Sequence, residues 1–258
     1  MLSKSNLILA VAPTEAMAAQ AHGLTLAHMA YRLGGGPHLF RSNLPIPIRD
    51  GMMLIDDTGF DGGGKSTPFC QEVSRECAAR GYSGVICDFD RSLPLLRQIV
   101  SELSPLLRRQ GLPLYVSETY GPDSDTARVL IPTALSGGSL RQRLEDALSR
   151  YGTGRVALAV ERSREDFFLP SPTGQGVSMS REELEKRIEE KSPAVFFSAE
   201  LCAHYFTYMN RQDGAHFILF DDAASIRHKL TLAQSLDIED AILSYADTAD
   251  LLPEILAH

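Results

Sequence analysis

The sequence has no tryptophan, which removes the largest flat apolar surface a binding cleft can offer. Cysteine is scarce: Cys70, Cys77, Cys87 and Cys202 form no CxxC pair, and this excludes the common zinc and thioredoxin-type patterns. Cys70 and Cys77 fall two turns apart on one helix and Cys87 lies inside an apolar run. All four therefore read as buried free thiols rather than disulfides or metal ligands. There is no excess of base either. With 25 Lys and Arg against 33 Asp and Glu the net charge is -8, which argues against a nucleic-acid or anionic-membrane partner. No apolar run approaches the roughly 20 residues of a membrane-spanning helix. Near the start, Lys4, LILAVA and AMA (Ala16 to Ala18) mimic a leader peptide. That apolar run stops at Pro13, short of a secretory core, so it reads as a first strand and the protein as cytoplasmic.

What remains is an ordinary soluble globular composition, 44% hydrophobic and 22% charged over 258 residues. That length accommodates one large α/β domain or two small ones. LILAVA (Leu7 to Ala12) suits a buried parallel strand. Thr14 to Tyr31, rich in Ala with helical spacing, predicts a helix, and HLFRS (His38 to Ser42) a weak second strand after the breaker GGGP. NLPIPIRDG is a loop by its prolines. MMLID (Met52 to Asp56) predicts the third strand and Pro68 to Arg80 a helix, capped by Ser66 and Thr67. VICDF is the fourth strand, followed by a helix over Pro94 to Gln110. LPLYVSE (Leu112 to Glu118), RVLIP (Arg128 to Pro132) and RVALAVE (Arg155 to Glu161) are the fifth to seventh, with a helix over Leu140 to Tyr151 before the last.

The alternation then breaks. PSPTGQG is a loop, SREELEKRIEEK (Ser180 to Lys191) a capped charged helix, and VFFSA, YFTYM and HFILFDD are aromatic stretches. A helix from Ser225 to about Leu236, a strand AILSYAD (Ala241 to Asp247) and a closing helix complete the chain. Eight apolar strands alternating with helices predict an α/β fold, a (β/α)8 TIM barrel with a small α+β insertion after strand seven at about 162–222. The whole chain, 1–258, is then one domain. There is no internal repeat.

The organising stretch is GYSGVICDFD, Gly81 to Asp90. It opens on a glycine turn, runs through Val85, Ile86 and Cys87, and ends in two carboxylates one residue apart. Side chains alternate along a strand, so Asp88 and Asp90 point the same way. Paired acids at the carboxyl end of a buried strand can build a catalytic floor. The alternative is a strand that leaves for solvent through two acids.

This stretch resembles the signature strand of glycoside hydrolase family 18, DGxDxDxE after a glycine, which includes chitinases and spore-cortex glucosaminidases. The match covers the glycines, the strand and the inner acid Asp88; Asp90 stands where the family has its terminal Glu. A second likeness lies in HFILFDDAASIRHKLTLA, similar to the HxVWFEDxxSIxxKLxLA run of spore-type members. It matches at His216, Phe220, Asp222, Ser225, Ile226, Lys229, Leu230 and Ala233. The loop LPSPTG (Leu169 to Gly174) and FTYM also sit where that family has equivalents. The resemblance covers roughly Met52 to the end.

The resemblance implies action on, or binding of, N-acetylglucosamine-containing glycans of chitin or peptidoglycan type, without cofactor or metal. Such enzymes use substrate assistance and need no nucleophilic carboxylate. The acetamido oxygen attacks the anomeric carbon, the strand-four acid protonates the leaving oxygen, and the Asp two places earlier steadies the acetamide. By that correspondence Asp90 is the proton donor and Asp88 its partner. Asp90 is one methylene shorter than the family's Glu, and a misplacement of about 1 Å can cost on the order of a hundredfold in rate. The family's strand-six Tyr falls within IPTA (Ile131 to Ala134), and its strand-eight Trp on Ser244 or Tyr245. A catalytically inactive, carbohydrate- or partner-binding barrel is therefore the alternative.

Other polar groups end strands and are candidates for substrate binding: Asp56, Glu118, Tyr120, Glu161 and Tyr245. Asp222 and Ser225 read as structural, with Ser225 as a helix cap. A third reading comes from GFDGGGKS (Gly59 to Ser66), which satisfies the phosphate-loop pattern. Against nucleotide binding, Asp56, Asp57 and Asp61 place negative charge beside any phosphate, and Pro68 removes an amide at the helix start. Oligomeric state is not readable from the sequence.

Overall fold

The computed structural model describes residues 3–43, 50–169, 175–210 and 214–257. The first apolar run forms β1 (Leu7–Val11). The Ala-rich stretch after it divides: only α1 (Ala16–Gln20) is helical. Gly23, at φ +68°, then turns the chain into β2 (Thr25–Gly34). The expected helix over Thr14 to Tyr31 is thus corrected, and the cause is visible in the register. A β-bulge between His28 and Tyr31 shifts the alternation of β2 by one step. Its buried apolar positions (Leu26, Ala27, Ala30, Tyr31 and Leu33) consequently fall at a spacing that imitates a helix face. HLFR becomes β3 (His38–Arg41), but as the antiparallel partner of β2 in a hairpin and not as a barrel strand. Within NLPIPIRDG, residues 44–49 lie outside the described residues.

Regular alternation follows: β4 (Met52–Asp56), α2 (Ser66–Arg80), β5 (Val85–Asp88), α3 (Pro94–Arg109), β6 (Leu114–Ser117), β7 (Arg128–Pro132), α4 (Leu140–Tyr151) and β8 (Val156–Val160). The insertion supplies β9 (Arg164–Leu169), β10 (Val177–Ser178), α5 (Arg181–Lys191), β11 (Phe196–Ser198), β12 (Ala203–Asn210) and β13 (Gly214–Phe220). The chain ends with α6 (Ala223–Ser235), β14 (Ala241–Ser244), α7 (Tyr245–Thr248) and α8 (Leu252–Ile255).

Eight parallel strands close on themselves in the order β1-β2-β4-β5-β6-β7-β8-β14, with β14 pairing back to β1. This is the (β/α)8 barrel that the alternation predicts. Ile8, Ala27, Leu54, Ile86, Tyr115, Ala157 and Ile242 fill its interior. Alternate residues of the same strands turn outward onto the helices, as Val85 and Cys87 do beneath α2 and α3. All four cysteines are free and buried. At the amino-terminal end of the barrel, Tyr115 donates to Asp240 at 2.9 Å and receives Arg128 at 2.9 Å, and Arg128 also pairs with Asp240. That network plugs the floor, so any site must lie at the opposite, carboxyl end.

After β8 a five-stranded antiparallel sheet rises in the order β10-β9-β13-β12-β11. Helix α5 begins with a full capping box from Ser180 and Glu183. Its Leu184 packs on Phe206, Ile218 and Phe220 of the sheet. A buried node ties the sheet to the barrel. Asp221 receives Lys229 Nζ at 2.6 Å, Ser225 Oγ at 2.7 Å and the Ser163 amide at 2.9 Å. Asp222, and not Ser225 as expected, is the N-cap of α6: it accepts the Ser225 amide at 2.8 Å and its own amide donates to Ser225 Oγ at 2.9 Å, so the pair is structural. Of the LPSPTG loop, residues 170–174 lie outside the described residues.

Candidate active site

Strand parity decides what faces the mouth of the barrel. On β5 the inward residue is Ile86, so Asp88 two places on is inward too, and the buried Phe89 between the acids turns outward. On β4 the inward residues Met52 and Leu54 lead to Asp56, which is in register with Asp88. On β8, Ala157 leads to Glu161. Asp56, Asp88, Asp90 and Glu161 therefore end at the carboxyl rim, as the strand ends suggest.

The electrostatics of Asp88 are unusual. It is exposed to the open mouth, yet protein atoms of the neighbouring strand ends crowd its carboxyl. Burial pushes that carboxyl up from the usual Asp range, and the negative charges of Asp90, Asp56 and Asp57 push it further. Among the described residues, no salt-bridge partner reaches Asp56, Asp88 or Asp90. Glu161 is likewise raised, first by burial. Lys229 and Arg143 pull it back, while Glu165 and Asp247 raise it. Two groups of acids thus face each other across the mouth, one on β4 and β5 and one beside the insertion. A pocket of about 300 Å³ lies next to the second, between the loop after β7 and the insertion, with Glu165 and Gly176 on its wall.

A residue with no sequence signature holds Asp90 in place. Asp57 is 3% exposed and accepts the amide of Asp90 at 3.1 Å. It also accepts the Arg91 amide at 3.4 Å and Arg91 Nε at 3.0 Å. Arg91 continues to the carbonyl of Phe60 at 2.6 Å and to that of Asp57 itself. Tyr120 closes the cluster by donating its hydroxyl to the Arg91 carbonyl. A carboxylate fixed by amides and a guanidinium makes a rigid joint where β5 gives way to loop. Only the local reading of Asp57 as one of several acids hints at this role.

Three expected substrate contacts move elsewhere. Tyr120 is fully buried, edge-on to Phe89 at 5.9 Å and with its hydroxyl used, so it braces the Asp90 loop instead of meeting a ligand. Tyr245 follows the inward Ser244 by one step, so it turns outward into the helix-side core beside His22. Glu118 follows the inward position Ser117 and pairs with Arg143 of α4. It lines a separate surface groove with Gln142 and Arg150. Ser117 was not anticipated: its hydroxyl is buried and, among the described residues, unpartnered, one strand over from Asp88. On β7 the inward places are Leu130 and then Pro132, and the next residue, Thr133, is buried with its hydroxyl accepting the Glu161 amide at 3.3 Å.

The phosphate-loop pattern fails on geometry. MMLID is a barrel strand, and the amino end of α2 is already met by a carboxylate. Glu102 of α3 accepts Ser66 Oγ at 2.6 Å and Thr67 Oγ1 at 3.0 Å. The hydrogen bond from Ser66 holds that carboxyl below the usual Glu range. Lys65, not Ser66 or Thr67, is the N-cap, and it makes no side-chain cap. Gly64 is instead required for packing, because a Cβ there would lie 2.1 Å from Pro37. Among the described residues no group of three His, Cys, Asp or Glu side chains could hold a metal ion.

No family model matches the sequence, and no curated protein matches it. Solved structures do. The fold is similar to that of the spore cortex-lytic enzyme SleL of Bacillus cereus, at 15% identity over 100% of this chain and 75% of that one, with a TM-score of 0.68. A chitinase from Chromobacterium violaceum aligns at 13% identity over 98% of this chain and 99% of that one, TM-score 0.66. A GH18 chitinase from Cycas revoluta, solved in complex with (GlcNAc)3, aligns at 13% identity over 97% and 98%, TM-score 0.60. The barrel with its insertion is therefore the GH18 type of fold.

Proposed function

We propose that the mouth of the barrel binds a β-linked N-acetylglucosamine glycan and hydrolyses it, with Asp90 as proton donor and Asp88 as its partner. The observation that carries this reading is the acid group at the ends of β4 and β5. Asp88 is raised by burial and by three like charges, and Asp90 is fixed through its amide by Asp57. Perturbed carboxyls in a cleft mark sites of proton transfer. Asp90 gives its proton to the glycosidic oxygen as the acetamido oxygen closes on the anomeric carbon. Asp88 holds the acetamide in line. The Asp90 carboxylate then takes a proton from the water that opens the intermediate. The unpartnered hydroxyl of Ser117 is placed to take the acetamide hydrogen bond that strand six no longer provides.

A second reading, a barrel that binds the glycan without cleaving it, draws on IPTA (Ile131 to Ala134), which holds no Tyr where the family carries its own, and on the shorter acid at Asp90. Turnover of a chromogenic chitobioside by the wild type and by Asp90→Asn separates the two. The hydrolase reading expects turnover that the substitution abolishes. Equal turnover by both proteins removes Asp90 from the role, and binding without turnover selects the second reading.

A further inference from the structure

The hairpin of β2 and β3 carries a feature that neither the acids nor the insertion explains. Strand β2 runs past the barrel, and beyond its bulge Tyr31 and Leu33 pack outward under α2. Arg32 and Gly34 therefore face the other way, and Arg32 is in register with Asp56 on the mouth side. Across the hairpin Arg32 pairs with Phe40. One side of the Phe40 ring packs against Gly34, where a Cβ would stand 2.3 Å from it, so that glycine makes room for the ring. Phe40 is nonetheless 45% exposed, and Met29 beside it is 47% exposed. The Arg32 guanidinium stands 5.8 Å from the ring centre, so ring and cation share one open surface. These residues line a groove of about 420 Å³ that ends at Asp56.

The charges in this groove are unevenly matched. Arg41 is paired with Glu76 at 3.4 Å, and Asp56 accepts the Thr58 amide at 2.8 Å. Arg32 has no carboxylate within salt-bridge reach among the described residues. An aromatic face beside an unpaired guanidinium suits a sugar ring that carries a carboxylate: the ring stacks and the fork binds the anion. A neutral glycan would use the ring and leave the cation idle.

We propose that the Arg32–Phe40 groove is a subsite for an N-acetylhexosamine ring bearing a carboxylate substituent, such as an O-lactyl group. The glycan that fills the mouth is then an acidic, alternating polymer and not chitin. The inference rests on the glycan reading above and narrows it.

Calorimetric titration of the full chain with chitobiose, with N-acetylglucosaminyl-N-acetylmuramic acid and with the carboxamide of the latter tests it. The acidic disaccharide is expected to bind about tenfold or more tightly than the other two, the worth of one charge-assisted hydrogen bond at a partly open site. That margin should shrink as salt is raised. Arg32→Gln should abolish the preference and leave chitobiose binding unchanged, Arg32→Lys should keep part of it, and Phe40→Ala should weaken all three ligands. Arg32 is exposed, so its variants are expected to fold, and melting curves check this. Equal affinity of the wild type for acid and carboxamide overturns the subsite while sparing the glycan reading. A preference that survives Arg32→Gln also overturns it. Binding of none of the three removes both.

Discussion

Replacing Asp90 by Glu tests the proposed chemistry by adding function. Asp90 is exposed at the end of β5, and its backbone is anchored because Asp57 accepts its amide at 3.1 Å. The longer side chain therefore grows into open space from a fixed root, and the fold should not notice. One added methylene extends the carboxyl by about 1.5 Å. If wild-type Asp90 falls short of the glycosidic oxygen by that much, restoring the reach is worth on the order of a hundredfold. At 1.36 kcal/mol per tenfold this is about 2.7 kcal/mol of barrier. The gain should appear in kcat with KM nearly unchanged, because the donor acts on the transition state and not on the bound sugar. Steady-state hydrolysis of a chromogenic chitobioside by wild type, Asp90→Glu and Asp90→Asn provides the measurement. The order expected is Glu above Asp above Asn. A Glu variant that binds chitobiose as the wild type does but turns it over no faster would refute the reasoning.

Three further outcomes follow from the same structure. Asp88→Asn should raise the melting temperature at neutral pH. A carboxyl raised in the folded state costs stability once pH passes the ordinary Asp range, and relief of the like charge opposite Asp56 is worth about 0.2–1 kcal/mol; no change in melting between the variants at pH 7 would count against the charge cluster. Lys229→Ala should destabilise the fold by about 3–5 kcal/mol, since it strands the Asp221 carboxylate inside the protein, whereas Asp221→Asn combined with Lys229→Met should recover most of the loss; urea denaturation reads both. His28 is fully buried, its Nε2–H donates to the Asp50 carbonyl at 3.1 Å, and burial lowers its pKa below the ordinary 6.5. The unfolded chain then binds the proton first, so stability should fall as pH drops below about 6.5, and His28→Gln should flatten that slope in pH-dependent melting.

Much of the barrel can be read from the residues, and most of the errors come from the phase of a strand. From Met52 to Tyr151 the predicted strands and helices coincide with β4 to α4 within a residue or two, because each apolar run is short, buried on both sides and closed by a turn. The misread stretch, Thr14 to Tyr31, contains a bulge between His28 and Tyr31 that changes the phase. Phase also explains the site. Asp56, Asp88 and Glu161 fall an even number of residues from an inward side chain, and Tyr245 and Glu118 fall one step off. Fixing the inward parity of a single residue on each strand, such as Ile242 on β14, would have excluded Tyr245 from the sequence. Tyr120 lies past a 3-10 turn where parity no longer applies, and Asp57 acts through backbone amides that no residue pattern announces.

The acids at the mouth also bear on whether the barrel still works as a catalyst. The three carboxylates at and just past the ends of β4 and β5 have no salt-bridge partner among the described residues, and Asp56 takes a local bond from the Thr58 amide; the closed barrel, the plugged floor and the Asp221 node provide the stability. A mouth serving only to bind neutral sugar would do as well with amides, which donate and accept without mutual repulsion. Here one of the acids, Asp88, is pushed towards its protonated form, and a second, Asp90, is held by a joint of Asp57, Arg91 and Tyr120. Rigid placement and a raised carboxyl are what proton transfer requires and what simple binding does not. This supports the hydrolase reading proposed above, and lengthening Asp90 is the substitution that tests it.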